Sequence, residues 1–285
     1  MSHSNALKSV LNIEHNAGFF SCCHVRLEKI IEFYNNSGTL PERIDGSKQF
    51  AYYKTDAMKE RDTTSDYFLV KPVSEFLKVE RNQTGNISFV EKELKDAAQN
   101  VEAQFTNYKH IDFESILPLF CHYFSPTPQI MEVLNHLERK YRLDYSNLCT
   151  IYYRGTDKQL ETNLASFEEF ILKALQIKRL VPGIKFLLQT DSYEFRNFFL
   201  SKFPDSIYFS EVENKNPFVH SIYLLASVIA MSKTKIVVCS SGNVSLWTAL
   251  YRGLADNIIQ YLNPKEFIYG ERNPNYDPNL TQFWV

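Results

Sequence analysis

The stretch IYYRGTDKQLE, residues 151–161, sets a guanidinium, a carboxylate and an ammonium behind a run of β-branched and aromatic residues. A solvated turn needs only small polar residues. Arg154, Asp157 and Lys158 offer more: a guanidinium grips a phosphate through two parallel hydrogen bonds, and a lysine adds a point charge. For this stretch alone, a local Arg154–Asp157 ion pair is the plain alternative. A second stretch, VVCSSGNVS, puts Ser240, Ser241, Gly242, Asn243 and Ser245 between an apolar run and a helical pattern. The first turn of a helix carries unpaired N–H groups and a partial positive charge, and small residues let an anion approach them. Simple helix capping is the alternative there. A third stretch, FLLQTDS, ends on Thr190, Asp191 and Ser192.

The elements that must position these residues follow from apolar periodicity. Residues 9–14 (SVLNIE) read as a strand, HNAGFF as a glycine-containing turn, and 21–36 as a helix capped by Ser21, with Gly38 and Pro41 ending the region. FAYYK, DYFLV and NISFV read as short extended pieces, and 90–105 as a charged helix. Two prolines in FSPTPQ, residues 124–129, mark a boundary. Beyond it helix and strand patterns alternate up to NIIQYL, which predicts parallel β-α-β units in a doubly wound sheet. Ligands of such sheets bind beyond the carboxyl ends of the strands, so the three stretches should share one edge.

Composition narrows the class. The chain has 285 residues, 44% hydrophobic and 22% charged, as an ordinary soluble globular protein does. A net charge of −2 argues against a nucleic-acid partner. No apolar run has the length of a membrane span, and the N-terminus has no apolar signal core, so a cytoplasmic setting is expected. Five cysteines, two of them adjacent, make no disulfide framework. Cys22 or Cys23, with His24 or His15, offers an alternative thiol chemistry at a helix N-terminus. The nucleoside-triphosphatase glycine loop, the dinucleotide glycine fingerprint, the zinc spacings and Asp-x-Asp are all absent. The nearest acidic variants, DFE at 112–114 and EVE at 211–213, read as solvated charges. Phosphate is therefore expected to meet arginine and a helix dipole, with no metal and no cofactor.

The run YYRGTDK resembles the His-x-Arg-Arg-x-Asp motif of the fucosyltransferase superfamily, metal-independent GT-B glycosyltransferases. Arg154 falls on the first arginine and Asp157 on the aspartate; Tyr152 stands at the histidine and Gly155 at the second arginine. LLQTDS is similar to that superfamily's later strand ending in Thr/Ser-Asp. CSSGNVSLWTALYRG is similar to its serine-rich donor loop and helix, and NAGFFSCCHVRLEKII, by placement, to its first turn. The resemblance covers the C-terminal half well and the N-terminal half loosely. It implies an α/β, GT-B-like fold of two Rossmann-like domains facing each other across a cleft. Residues 1–125 would form the acceptor side. Residues 126–285 would bind the donor, with an irregular tail packing back on the first domain.

It further implies inverting transfer of a sugar from a nucleotide-diphosphate donor, GDP-fucose-like or a UDP-sugar such as UDP-xylose, to a glycan hydroxyl, with Arg154 on the diphosphate. An inverting reaction needs a base. Glu14, Asp56 and Asp66 are the candidates, Glu14 having the best inferred place, and a departing phosphate that takes the proton stays open. The loop 208–211, with Phe209 and Glu211, is expected to read the nucleobase, and His220 to touch nucleotide or ribose or else fill the core. Asn16, Gly18, Phe19 and Phe20 should face the acceptor. A non-catalytic nucleotide- or sugar-binding module would use the same pocket without a base.

Overall fold

The computed structural model describes residues 10–69, 71–73, 75–76, 87–89, 103–268, 270–273 and 276–285. The first half opens with two parallel strands, β1 (Val10–Asn12) and β2 (Arg43–Asp45), joined through helix α1 (Phe19–Ser37). The helix starts earlier than expected, with Gly18 and not Ser21 as its N-cap. Phe19 and Phe20 are buried, so both rings belong to its apolar face, while Ser21 Oγ lies inside the helix, 2.9 Å from His15 Nε2. Gly38 ends α1 at φ 67°, the left-handed conformation a glycine adopts without penalty.

The aromatic pieces expected to be extended are turns instead. FAYYK contains a 3-10 turn, Ala51–Tyr53, and DYFLV begins in the short helix α2 (Thr64–Tyr67) before Phe68 bridges Pro126. Phe50, Tyr67 and Phe68 are buried, so their spacing records burial on turns and not a pleated strand. Of NISFV, residues 87–89 are described and form no strand. The helix expected over 90–105 lies outside the described residues apart from the 3-10 turn Ala103–Phe105.

Helices α3 (Phe113–Tyr123) and α4 (Pro128–Tyr141) flank the proline boundary; Thr127 caps α4 and Pro128 occupies its first turn. The apolar core runs across this boundary unbroken: Phe20 and Leu27 of α1 share one cluster with Phe124, Ile130, Leu134 and Trp247. Then come β3 (Leu148–Tyr153), α5 (Phe167–Leu180), β4 (Lys185–Thr190), α6 (Tyr193–Lys202) and β5 (Ile207–Tyr208). The chain continues with α7 (Pro217–Lys233), β6 (Ile236–Ser240), α8 (Asn243–Arg252) and β7 (Ile258–Tyr261). All five strands are parallel, in the order β5-β4-β3-β6-β7. The α/β reading of this half holds. β5 is shorter than its sequence suggests, because buried Phe209 leads into the 3-10 turn Ser210–Glu213.

Connections leave β3 toward β4 on one side while β6 pairs on the other, which opens a crevice at the carboxyl ends of β3 and β6. The closing segment, expected to pack back on the first half, packs beside β7 among its described residues. After the hairpin β8 (Phe267–Ile268) and β9 (Glu271–Arg272), Phe283 and Val285 pair with Leu262 and Gln260 beside β7. Trp284 packs on Phe170 and Tyr261 there. The open edge of β7 offers backbone partners and an aromatic seat close at hand.

Candidate active site

A cleft of about 670 Å³ lies at the carboxyl ends of β3, β4 and β6. Arg154 follows β3 directly, and its guanidinium reaches Asp191, one residue past β4, at 2.5 Å and Asp157 at 2.6 Å. Asp191 also accepts from Gly155 N at 2.8 Å and Thr156 Oγ1 at 2.6 Å, so one carboxylate fixes the whole turn after β3. Burial opposes the charge of Arg154, but Tyr152, Asp191 and Asp157 outweigh it and hold the guanidinium above its ordinary range. Gly155 is required by space: a Cβ would sit 2.5 Å from the Tyr153 ring, which is stacked on Phe195 at 4.3 Å. No arginine side chain fits at 155 while that ring stays in place.

Lys158 is buried beneath the opposite wall, with Nζ 2.9 Å from Gln104 Oε1, 2.5 Å from Glu161 Oε2 and 4.6 Å over the Phe105 ring. Its stem packs against Gly242, the N-cap of α8, where a Cβ would meet Lys158 Cε at 3.4 Å. Gly242 has φ 154° and ψ 172°, a conformation close to glycine-only. The first turn of α8, Asn243 and Val244, lines the cleft beside it, so a helix N-terminus and two cations border the same space.

The remaining wall joins both halves of the chain. Gly18, Phe19 and Phe20 at the start of α1 line it together with Tyr53, whose hydroxyl accepts from Phe19 N at 2.8 Å. The Tyr53 ring lies nearly parallel to His220 on α7, 6.1 Å between centroids. His220 Nδ1 is 2.5 Å from Val212 O. A carbonyl only accepts, so Nδ1 carries a proton toward it. At the mouth, Arg196 lies between the Tyr193 and Tyr208 rings and pairs with Glu213. Each cleft cation, Arg154, Lys158 and Arg196, thus holds a cleft carboxylate.

No protein-family model and no curated protein matches the chain in sequence. Solved structures do match in shape. The α-1,6-fucosyltransferase NodZ soaked with GDP-fucose superposes at TM-score 0.57 and 12% identity, over 89% of this chain and 95% of that one. NodZ co-crystallised with GDP gives 0.57 and 13% over the same shares. NodZ from Bradyrhizobium gives 0.57 and 13% over 89% and 96%. The chain has the fold of a fucosyltransferase.

Within this fucosyltransferase fold the expected residues divide sharply. Arg154, Asp157, Lys158, Thr190 and Asp191 meet in the cleft, and so do His220, Gly242 and Asn243. Ser240, Ser241 and Ser245 lie beneath it, buried: Ser240 Oγ accepts from Arg154 N at 3.3 Å, Ser241 donates to Tyr261 O and Ser245 to Ser240 O. Their hydroxyls shape the loop and do not line the cleft. Phe209 is buried against Tyr141, and Glu211 is tied to Lys140 and Tyr141, so neither lines the cleft; Tyr208 and Glu213, one residue before and two after, do. Asn16 bonds Lys48 O and Ala51 N as a structural clasp.

The carboxylates proposed as base stand apart from the cleft: Glu14 pairs with Lys48, Asp56 with Lys59 and Asp66 with Arg61. Among the described residues the acids at the cleft are Asp157, Glu161, Asp191 and Glu213. Cys22 and Cys23 are fully buried, and burial pushes both thiols up, Cys23 well above its ordinary value. Burial therefore disfavours the thiolate at both positions, which argues against the thiol chemistry. No site role is expected from sequence for Gln104, in the run read as a charged helix, for Gln189, inside FLLQTDS, or for Arg196, and Glu213 stands in the EVE run read as solvated charge. Only Arg196 and Glu213 leave a trace in sequence, as opposite charges flanking the β5 pattern.

Proposed function

We propose that the chain is a glycosyltransferase that binds a nucleotide-diphosphate sugar in this cleft and transfers the sugar, with inversion and without a metal, to a glycan hydroxyl. One observation carries the reading: Arg154, Lys158 and the N-terminus of α8 converge on one crevice at the carboxyl edge of a parallel sheet, in a fold shared with fucosyltransferases. Such preorganised donors stabilise the negative charge that develops on a leaving diphosphate. As the diphosphate takes the Arg154 guanidinium, Asp157 is released. Its side chain is 63% exposed, the most open of the Arg154 partners. The acceptor oxygen then attacks the anomeric carbon, the bond to the phosphate oxygen breaks, and the acceptor proton passes to Asp157. A guanosine or uridine donor fits the reading equally.

A thermal-shift series with GDP, UDP, GDP-fucose and UDP-xylose tests it, since a ligand that binds the folded state raises Tm. The expected result is a concentration-dependent rise with one nucleotide family. No shift with any of the four would sink the proposal.

A further inference from the structure

Residues 104–108 belong to the first half of the chain, yet they hold two of the three phosphate-suited features of the cleft, Lys158 and the turn at Gly242. Gln104 and Phe105 border the Lys158 ammonium. Tyr108 makes the closer attachment: its hydroxyl accepts from Gly242 N at 3.1 Å and donates to Gly242 O at 3.0 Å. Tyr108 N donates in turn to Gln260 Oε1 at 3.0 Å. Gln260 Nε2 donates to Thr106 O at 3.0 Å and to Ser241 Oγ at 2.9 Å. Tyr108, Ser241 and Gln260 are each 1% exposed. A buried polar network whose members are all paired admits one geometry, because any shift strands a polar group away from water.

We propose that Tyr108 is a positioning residue for diphosphate binding. It locks Gly242 in the backbone conformation that presents the first turn of α8 to the cleft, so that the phosphate seat is built by both halves of the chain. Tyr108 acts through Gly242 and touches no ligand. The inference rests on the nucleotide-sugar reading and adds where its donor affinity comes from.

The test is calorimetric titration of the full-length protein with GDP and with UDP, comparing wild type, Tyr108→Phe and Tyr67→Phe. Tyr67 is the control: it is fully buried, its hydroxyl lies 2.9 Å from Ser221 Oγ, and it does not line the cleft. Tyr108→Phe is expected to weaken nucleotide binding about tenfold, the size of one lost hydrogen bond with a stranded N–H. Tyr67→Phe should leave affinity unchanged despite its own lost bond. Hydrogen exchange should accelerate at the Gly242 amide in Tyr108→Phe alone. Gln260→Met, which frees the Tyr108 backbone, should reproduce the affinity loss and serves if Tyr108→Phe does not fold. Equal affinity in wild type and the Tyr108 and Gln260 variants, or equal losses in Tyr108→Phe and Tyr67→Phe, overturns the proposal. A wild-type protein that binds neither nucleotide removes the nucleotide reading, and this proposal with it.

Discussion

Arg154 pairs with Asp157 and Asp191 and, in the proposed complex, with a diphosphate. Arg154→Ala should lower donor kcat/KM by roughly ten- to a hundredfold, the equivalent of about 1.5–3 kcal/mol for lost charged hydrogen bonds. Unaltered donor kinetics in a folded variant would take Arg154 out of the site. Asp157→Asn separates proton acceptance from donor binding at Asp157 itself. The amide still accepts a hydrogen bond but takes no proton, so kcat should fall at least tenfold while donor KM stays within about threefold. A rise in KM alone would make Asp157 a donor-binding group and not the base. Gly155 makes a steric point at the same scale: its missing side chain is the space that the Tyr153 ring occupies.

Helix α8 matters through its first turn. Gly242→Ala forces an L-residue into a conformation costing about 1–3 kcal/mol, and its Cβ meets the Lys158 stem at 3.4 Å. Tm and donor affinity should therefore fall together. Ser166→Ala provides the comparison. It breaks the capping box of α5, where Ser166 accepts from Glu169 N and Glu169 accepts from Ser166 N. That should cost about 1 kcal/mol of stability and leave donor affinity alone, because neither residue lines the cleft. Equal affinity losses in both variants would mean that global stability, not the turn at Gly242, controls binding.

At the scale of the molecule, the first half is knit by a part-buried ion pair. Arg26 is 5% exposed and reaches Asp62 at 3.8 Å. Burial alone raises the Asp62 carboxyl, but Arg26, Thr64 and the Gly46 amide outweigh it and hold the group below the ordinary carboxylate range. The unfolded chain then binds a proton more readily than the folded one. The stabilisation is present above the ordinary value near about pH 4 and is lost as pH falls through the lower folded value. Wild type should lose Tm through that window more steeply than Asp62→Asn; parallel acid limbs would exclude Asp62 as a source. The proposed metal independence is a prediction about the whole cleft. Turnover in EDTA should equal turnover with Mg²⁺ or Mn²⁺, since Arg154, Lys158 and α8 supply the positive charge; loss of turnover on chelation would overturn it.

The amino-acid sequence by itself determined the alternation of strands and helices after residue 147 and the charged residues at their ends. Both are local: apolar period reports which face is buried, and a strand end is marked where that period stops. It also placed Arg154, Asp191 and Gly242 on one edge, because parallel strands put all their carboxyl ends together. Tertiary structure alone decided the partners. Ser241 and Ser245 look like phosphate donors in sequence, but each hydroxyl met a carbonyl, Tyr261 O and Ser240 O, before it met the cleft. Glu14 lies two residues past β1, not at its end, and is claimed by Lys48, brought to it by the β1–β2 pairing. The insertion of residues 104–108 beneath Gly242 has no periodic signature at all. Tyr108 and Gly242 are far apart along the chain, and a contact between them is set by how two surfaces pack, which no local pattern records.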